Sequence, residues 1–366
     1  MTPKRIIFVI SSLGPGGAER VASLLTSKWA DTGRSVTLVT TFLLESDDDF
    51  YPLSPLINRV RLTNLVTANE RSVTDNFVRG ITFRRLVQST NPDIVVSFMD
   101  RVNILTLLSL AGTNFPVIVC ERSNPFQQKL SNKWELLRRF TYKKMAAVVC
   151  CQSAVVAEKM NSLWQINTFS LPNPLSPDIP TNIDSFLKRQ QIILCVGRLS
   201  PEKGHDLLLQ SWATLADNYP GWTLRMIGDG VLRDNLHQTS ERLGIQKRVE
   251  WAGTVKNVWS EYQNSQIFVL PSRYEGFPNA LLEAMALGCA CISANCDSGP
   301  AEMIHDGVSG LLCATEDVNA MSLALSKLLD SPALREAYGK NAQDVRKKFS
   351  LEAHLQCWEN VFAELS

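Results

Sequence analysis

Short runs of aliphatic and β-branched residues alternate with longer stretches whose apolar positions recur every three to four residues, almost from one end of the chain to the other. That alternation of buried strands and amphipathic helices is the pattern of parallel α/β domains. In the first half it predicts strands over Arg5–Ile10, Ser35–Thr40, Ile94–Phe98, Val117–Cys120 and Ala147–Cys150, with helices such as Ala18–Ala30 and Asp75–Gln88 between them. The second half repeats it with Ile192–Val196, Thr223–Ile227, Val249–Ala252, Ile267–Leu270 and Ala290–Ser293. Between the halves run Leu171-Pro172-Asn173-Pro174, Ser176-Pro177 and Pro180. Prolines this dense suit neither sheet nor helix. The chain therefore divides into a first domain at 1–172, a linker at 173–190, a second domain at 191–348 and a C-terminal helix within 349–366. That helix, Leu351–Leu365, carries Trp358 and Phe362 on one face and is expected to pack back toward the first domain. The expected class is α/β, with two Rossmann-like domains facing a cleft at the carboxyl ends of their sheets, where open α/β sheets take ligands.

The length of 366 residues suits two domains, and 45% hydrophobic with 20% charged residues is ordinary for globular cores. The net charge of +1 is uninformative, but its distribution is not. Residues 1–170 hold 20 Lys+Arg against 13 Asp+Glu, and the remainder hold 17 against 23. One half is thus suited to an anionic surface or ligand; no nucleic acid is expected. Nine scattered cysteines fit reduced thiols and a cytoplasmic setting. Cys289, Cys291 and Cys296 lack both C-x-x-C spacing and a paired His, so they are expected as small buried residues and not as a zinc site. Lys4 and Arg5 before Ile6–Ile10 resemble a short signal peptide, but Gly14-Pro15-Gly16-Gly17 follows where a cleavage site would stand. No apolar run reaches the roughly 18 residues of a membrane span.

Residues 267–283 carry the most chemistry. A buried strand runs into a turn with Glu275 and Gly276, and a helix starts near Pro278, a favoured first-turn residue. The backbone N–H groups of Asn279, Ala280 and Leu281 would then form an anion site suited to a diphosphate. Glu283, one to two turns into the helix, is placed to accept from ribose hydroxyls, and Glu275 faces whatever lies beyond the phosphate. Taken alone, the two carboxylates would also suit solvated helix charges.

Two Glu separated by seven residues, within Glu-Gly-Phe-Pro-Asn-Ala-Leu-Leu-Glu-Ala-Met-Ala-Leu-Gly, resemble glycosyltransferase family 4. Gly197-Arg198-Leu199-Ser200-Pro201-Glu202-Lys203-Gly204 is similar to its phosphate-binding loop, Gly228-Asp229-Gly230 to its next strand end, and Gly16-Gly17-Ala18-Glu19-Arg20 to its N-terminal glycine turn. The resemblance covers nearly the whole chain. It implies the GT-B fold and a retaining, metal-independent transfer from a nucleotide sugar, UDP-linked by family frequency, with no cofactor. Arg198 and Lys203 would clamp the donor diphosphate, with Gly197, Gly228 and Asp229 beside it. Glu283 would hold the ribose. Glu275, with the backbone around Gly276 and Phe277, would bind the transferred sugar. Gly16 and Gly17 would let backbone approach the phosphates or acceptor. An NAD-type turn at Gly14–Gly17 is disfavoured, because the second strand ends in Thr40 and Thr41 without an acid.

Family members often place a His beside the donor sugar, but all four His here lie in the second half. At that position stands Cys120-Glu121-Arg122-Ser123-Asn124-Pro125, which resembles members that build lipid-linked bacterial glycans. Arg122 would supply the positive group, toward the acceptor's diphosphate; the alternative is a surface Arg paired with Glu121. Asp100 and Asn103, after the strand ending at Phe98, are candidates for contact with the acceptor sugar. Asp47-Asp48-Asp49 is expected as a solvated loop and not a metal site. The segment 129–145 holds Lys129, Lys133, Arg138, Arg139, Lys143 and Lys144 interleaved with Trp134, Leu137 and Phe140. It suits peripheral attachment to the inner face of the cytoplasmic membrane, or an ordinary surface helix with a core-facing stripe. The competing functions are a sugar phosphorylase or nucleotide-sugar epimerase on the same fold, and a catalytically silent partner subunit.

Overall fold

The computed structural model describes residues 3–41, 49–65, 73–128, 130–183 and 186–365. The chain forms two compact units, Met1–Asn173 together with His354–Ser366, and Pro174–Ala353. The first contains β1 (Arg5–Ile10), α1 (Gly17–Asp31), β2 (Ser35–Thr40), β3 (Asn58–Arg61), α2 (Val73–Thr90), β4 (Ile94–Phe98), α3 (Asp100–Ser109), β5 (Val117–Cys120), α4 (Asn132–Met145), β6 (Val148–Cys151), α5 (Ala154–Trp164) and β7 (Thr168–Ser170). The second contains β8 (Gln190–Val196), α6 (His205–Ala213), β9 (Thr223–Ile227), α7 (Arg233–Arg242), β10 (Val249–Gly253), α8 (Val258–Asn264), β11 (Ser265–Leu270), α9 (Asn279–Ala286), β12 (Ala290–Ala294), α10 (Pro300–Met303), β13 (Leu311–Cys313), α11 (Val318–Asp330), α12 (Pro332–Ala342) and α13 (Val345–Lys348). The last helix, α14 (Leu351–Ala363), lies mostly in the first unit.

The first sheet has the order β3-β2-β1-β4-β5-β6-β7 and the second β10-β9-β8-β11-β12-β13, with every pairing parallel. Both follow the doubly wound pattern, in which the direction of strand addition reverses beside the first strand. The reversal falls between β1 and β4 in one sheet and between β8 and β11 in the other.

Because strand side chains alternate, each sheet builds a core on both faces. Ile6, Phe8 and Ile10 of β1 join Trp29 of α1 on one face, while Ile7 and Val9 join Phe83, Leu107 and Tyr142 on the other. The first of these cores is completed by Trp358, Val361 and Phe362 of α14. Trp29 and Trp358 meet edge to face, 5.2 Å between ring centroids. Each such side chain, fully buried, contributes about 1.5–3 kcal/mol. His354 is fixed there: its Nδ1 lies 2.8 Å from the Pro172 carbonyl, and its Nε2 accepts from Trp358 Nε1 at 3.1 Å. Burial pushes the imidazole down to about 3, so it is neutral, with Nδ1 the donor. In the second unit, Leu175 and Ile179 from the proline-rich stretch are buried with Tyr262 and Phe268. That stretch has no regular structure, yet Leu175 and Ile179 are part of the second core, while Leu171 belongs to the first. Cys289 and Cys291 lie in the same core.

Candidate functional site

Three loops meet at the carboxyl edge of the second sheet, following β8, β9 and β11. Gly228 has φ +132, and a Cβ there would run into the Gly197 carbonyl; Gly204 has φ +65, and its Cβ would run into the Pro271 carbonyl. Only glycine satisfies both the left-handed backbone and this approach. The loops are joined further by Gly197 N–H donating to Ile227 O at 2.9 Å and Leu199 N–H to Asp229 O at 3.0 Å. The Asp229 carboxylate accepts from Gly230 N–H at 2.8 Å and from Arg233 Nη1 at 3.1 Å.

On this frame Lys203 ends a single 3-10 turn, Pro201–Lys203, and its Nζ donates to both Glu275 oxygens at 2.7 and 2.8 Å. Ser272 Oγ donates to Glu275 Oε1 at 2.7 Å, and Ser298 Oγ to the Glu275 carbonyl at 2.6 Å. The Glu275 side chain is 7% exposed and that of Lys203 25%. A carboxylate this buried is tolerated because it is paired and hydrogen-bonded. An ammonium has three N–H donors, so Lys203 can hold Glu275 and still meet an anion. Arg198 is exposed on the same loop, in electrostatic reach of Glu202. The neighbouring His205, which carried no expectation, is buried and pushed down to about 4, by desolvation first and the charge of Lys203 second.

The expected trio of open N–H groups at the start of α9 is reduced. Pro278, at φ −80 and ψ 78, makes a tight turn in which the Asn279 N–H donates to the Phe277 carbonyl at 3.0 Å. The expectation for Asn279 is therefore corrected, and Ala280 and Leu281 remain as candidate backbone donors. The Phe277 ring packs against Phe349, 5.7 Å between centroids, and Gly276 and the Phe277 backbone follow directly on Glu275 in the chain. Glu283 is buried within α9 and accepts from Tyr262 OH at 3.3 Å.

At the first sheet's reversal point, Gly16 caps α1 in extended conformation, Gly17 begins the helix, and the Glu19 carboxylate folds over Gly16. Burial raises the Glu19 carboxyl, and the nearby Arg122 opposes that. Asp100 opens α3. The Arg122 guanidinium lies 4.4 Å from the Phe98 ring centroid, and its Nη2 donates to Asn173 Oδ1, which also accepts from Gln152 Nε2 at 2.8 Å. Its Nε is buried and has no hydrogen-bond partner among the described residues. Burial lowers Arg122 to about 10.

Glu121 is not the partner of Arg122. Its Oε1 accepts from Tyr142 OH at 2.7 Å and lies 3.6 Å from Arg138 Nη1. Burial pushes its carboxyl up to about 7 against the pull of Arg138 and Tyr142. Asn103, expected near the acceptor, is fully buried and donates to Cys120 O and to Tyr142 OH, both at 3.0 Å. Arg138, expected on the basic face of α4, is 1% exposed, paired with Glu135 and Glu121, and donates to Pro125 O at 3.1 Å. It follows Trp134 and Leu137 onto the inner face because Glu121 awaits it there. The outer face keeps Lys133, Leu136, Arg139, Phe140, Lys143 and Lys144 exposed; Lys129 lies outside the described residues. Of the aspartate run, 47 and 48 also lie outside them, and Asp49 is ion-paired with Arg59 at 2.9 Å and Arg61 at 3.7 Å, so it is not a solvated loop residue. Among the described residues no three His, Cys, Asp or Glu cluster as metal ligands, and no helix is long and apolar enough to cross a membrane.

Two family models match the chain, Glycosyltransferase Family 4 over residues 15–174 and Glycosyl transferases group 1 over residues 180–345. A Campylobacter jejuni protein described as a GalNAc-alpha-(1->4)-GalNAc-alpha-(1->3)-diNAcBac-PP-undecaprenol alpha-1,4-N-acetyl-D-galactosaminyltransferase is 26% identical over 366 residues, 99% of each chain. The amylovoran biosynthesis glycosyltransferase AmsD of Erwinia amylovora is 25% identical over 371 aligned positions, 98% of this chain and 99% of that one. The solved structure of Anabaena HepE in complex with UDP is similar in fold, with a TM-score of 0.80, 16% identity, and 98% and 100% of the two chains covered.

Proposed function

The chain belongs to the glycosyltransferases, by family 4 in its first domain and group 1 in its second, and we propose that it moves a hexose or N-acetylhexosamine from a UDP-linked donor to a polyprenyl-diphosphate-linked saccharide with retention of anomeric configuration. The observation that carries this reading is Lys203 held on the Glu275 carboxylate, with Arg198 exposed on the same loop, at the reversal point of the second sheet. Arg198 and Lys203 bind the donor diphosphate and oppose the charge that grows on it as the bond to the sugar's anomeric carbon breaks. Glu283 takes the ribose, with Ala280 and Leu281 offering backbone N–H groups to phosphate. Glu275 accepts from hydroxyls of the transferred sugar. The acceptor hydroxyl attacks on the face the nucleotide leaves, and its proton passes to the departing phosphate oxygen, so no protein nucleophile is needed. Arg122, with its Nε unpaired, meets the acceptor's diphosphate. The outer face of α4, with Lys133, Arg139, Lys143 and Lys144 around Leu136 and Phe140, rests on the anionic inner surface of the cytoplasmic membrane.

The lipid-linked acceptor is supported by the activity described for the Campylobacter relative, and the uridine donor by the nucleotide in HepE. The test incubates the protein with UDP- and GDP-sugars and a short polyprenyl-diphosphate saccharide, with and without excess EDTA, and reads products by mass spectrometry and anomeric configuration by NMR. The expected result is one added sugar, retained, with EDTA harmless. An inverted product, or turnover lost to EDTA and restored by manganese, would overturn the mechanism.

A further inference from the structure

The geometry points to Arg273 as a positioning residue that holds Lys203 and Glu275 in register by locking three loops of the second sheet together. Its backbone N–H donates to the Glu202 carbonyl at 2.8 Å, which lays residue 273 along the turn that carries Lys203. Its Nη1 donates to the Pro201 carbonyl at 2.7 Å in that same turn. Nη1 and Nη2 also form a two-point contact with Asp206 in the first turn of α6, at 2.9 and 2.8 Å. Nε donates to Glu316 at 3.0 Å, a residue held at φ +59 in the loop between β13 and α11. One guanidinium therefore binds the turn after β8, the helix that follows it and the loop after β13, from a site two residues before Glu275.

The Lys203–Glu275 ion pair joins the same two loops, but both of its members are shared with other groups during the reaction. On the reading of the site proposed above, on which this inference rests, Lys203 is shared with the donor's phosphate and Glu275 with the sugar. The inner link then loosens when alignment matters most. Arg273 touches neither ligand group, so its fork keeps both loops in place throughout. A planar fork is needed for this, because the Asp206 contact uses two parallel N–H bonds and a carbonyl takes a third. A lysine would retain the charge and lose the geometry.

The experiment measures donor KM and kcat with the active UDP-sugar and the lipid-diphosphate acceptor for Arg273→Met, Arg273→Lys, Asp206→Asn and the Arg273→Met/Asp206→Asn double variant, with Lys203→Ala as reference and thermal melts for folding. Arg273→Met is expected to lower kcat by about 10- to 100-fold, the scale for a misplaced reacting group, with donor KM within about twofold. Arg273→Lys should recover only part of that loss. Asp206→Asn should repeat part of it, and the double variant should be no worse than Arg273→Met, because both remove one contact. Should Arg273→Met fail to fold, Arg273→Lys and Asp206→Asn carry the same comparison. Unchanged kcat in a variant set where Lys203→Ala has lost most of its turnover would overturn the brace and leave the site intact, as would full recovery by lysine or an effect confined to KM. Wild-type turnover by Lys203→Ala would overturn the site reading and the brace with it.

Discussion

At the reversal point of the first sheet, Arg122 lies over the Phe98 ring, while Glu121 beside it turns inward to Arg138 and Tyr142, with Asn103 bonded to Tyr142 in turn. At the reversal point of the second, Lys203 is about a quarter exposed over the buried Glu275, and Arg198 is more exposed still. The strand order is the same in both apart from the seventh strand of the first sheet. What differs is how far the charges are withdrawn from water. A dry, hydrogen-bonded set fixes the shape of a loop permanently and shifts its acid–base behaviour, whereas a wet ion pair can exchange its partner for a passing anion at little cost. Topology determines which loops carry charge; burial together with the partners already bound separates fixed charges such as Glu121 and Arg138 from those still open to exchange.

The most severe test of this contrast is Arg138→Met, which leaves Glu121 buried without its cation. The expected loss is about 3–5 kcal/mol of stability above pH 7, read from denaturant unfolding; a loss under 1 kcal/mol would place Glu121 in contact with water after all. Next is the pH dependence of stability. The folded Glu121 titrates near 7, above the unfolded value of 4.5. Below about pH 4.5 both states hold its proton. Between there and pH 7 the unfolded chain releases it while the folded one retains it, so stability falls as pH rises, and it levels off above 7. Glu121→Gln should remove this decline, on the order of 3 kcal/mol, and parallel curves for the two proteins would contradict it.

Smaller, but aimed at function, is the pair Lys203→Ala and Arg122→Ala. The first should lower kcat by about 100-fold, equivalent to about 2.7 kcal/mol. The second should raise the KM of the lipid acceptor and spare donor hydrolysis. If both change the same parameter, the division between the two sheets is wrong. The smallest effect expected is on vesicle binding. Changing Lys133, Arg139, Lys143 and Lys144 to Ala, each worth about 1 kcal/mol near an anionic surface before discounting for geometry and salt, should weaken co-sedimentation with anionic vesicles by more than tenfold. Binding equal to that of the unaltered protein would leave α4 a core-packing helix only.

The apolar patterning was enough to find the long central strands, because a β-branched run such as Ile6–Ile10 has few other destinies. Three strands were not legible. Asn58–Arg61 is half-exposed and polar, and Thr168–Ser170 and Leu311–Cys313 have three residues each, so all three take shape from the neighbour they pair with. The placement of the candidate site was legible where a motif fixes spacing, as for Lys203, Glu275 and Glu283. It was not legible where a charge goes inward. Periodicity assigns an Arg to the outside of a helix, and nothing near Arg138 in the sequence reveals Glu121 beneath it. Arg273 escaped notice for a related reason: its four partners span more than a hundred residues. Asn279 looked like an open donor because a helix start normally leaves its first N–H groups unused, and the turn at Pro278 takes one back.

Because Trp358 and Phe362 sit against Trp29, the first domain has a birth order unlike its place in the sequence. On the ribosome, residues 1–173 emerge and must wait while some 180 residues of the other domain are made, on the order of 10 to 40 seconds at ordinary elongation rates. Throughout that interval the indole of Trp29 has no lid. The second domain, continuous from Pro174 to Ala353, is complete as soon as it clears the exit tunnel, so the half translated later is the half able to finish first. A nascent chain stalled before α14 would display an aromatic face that chaperones recognise, and emergence of α14 is the event that hides it.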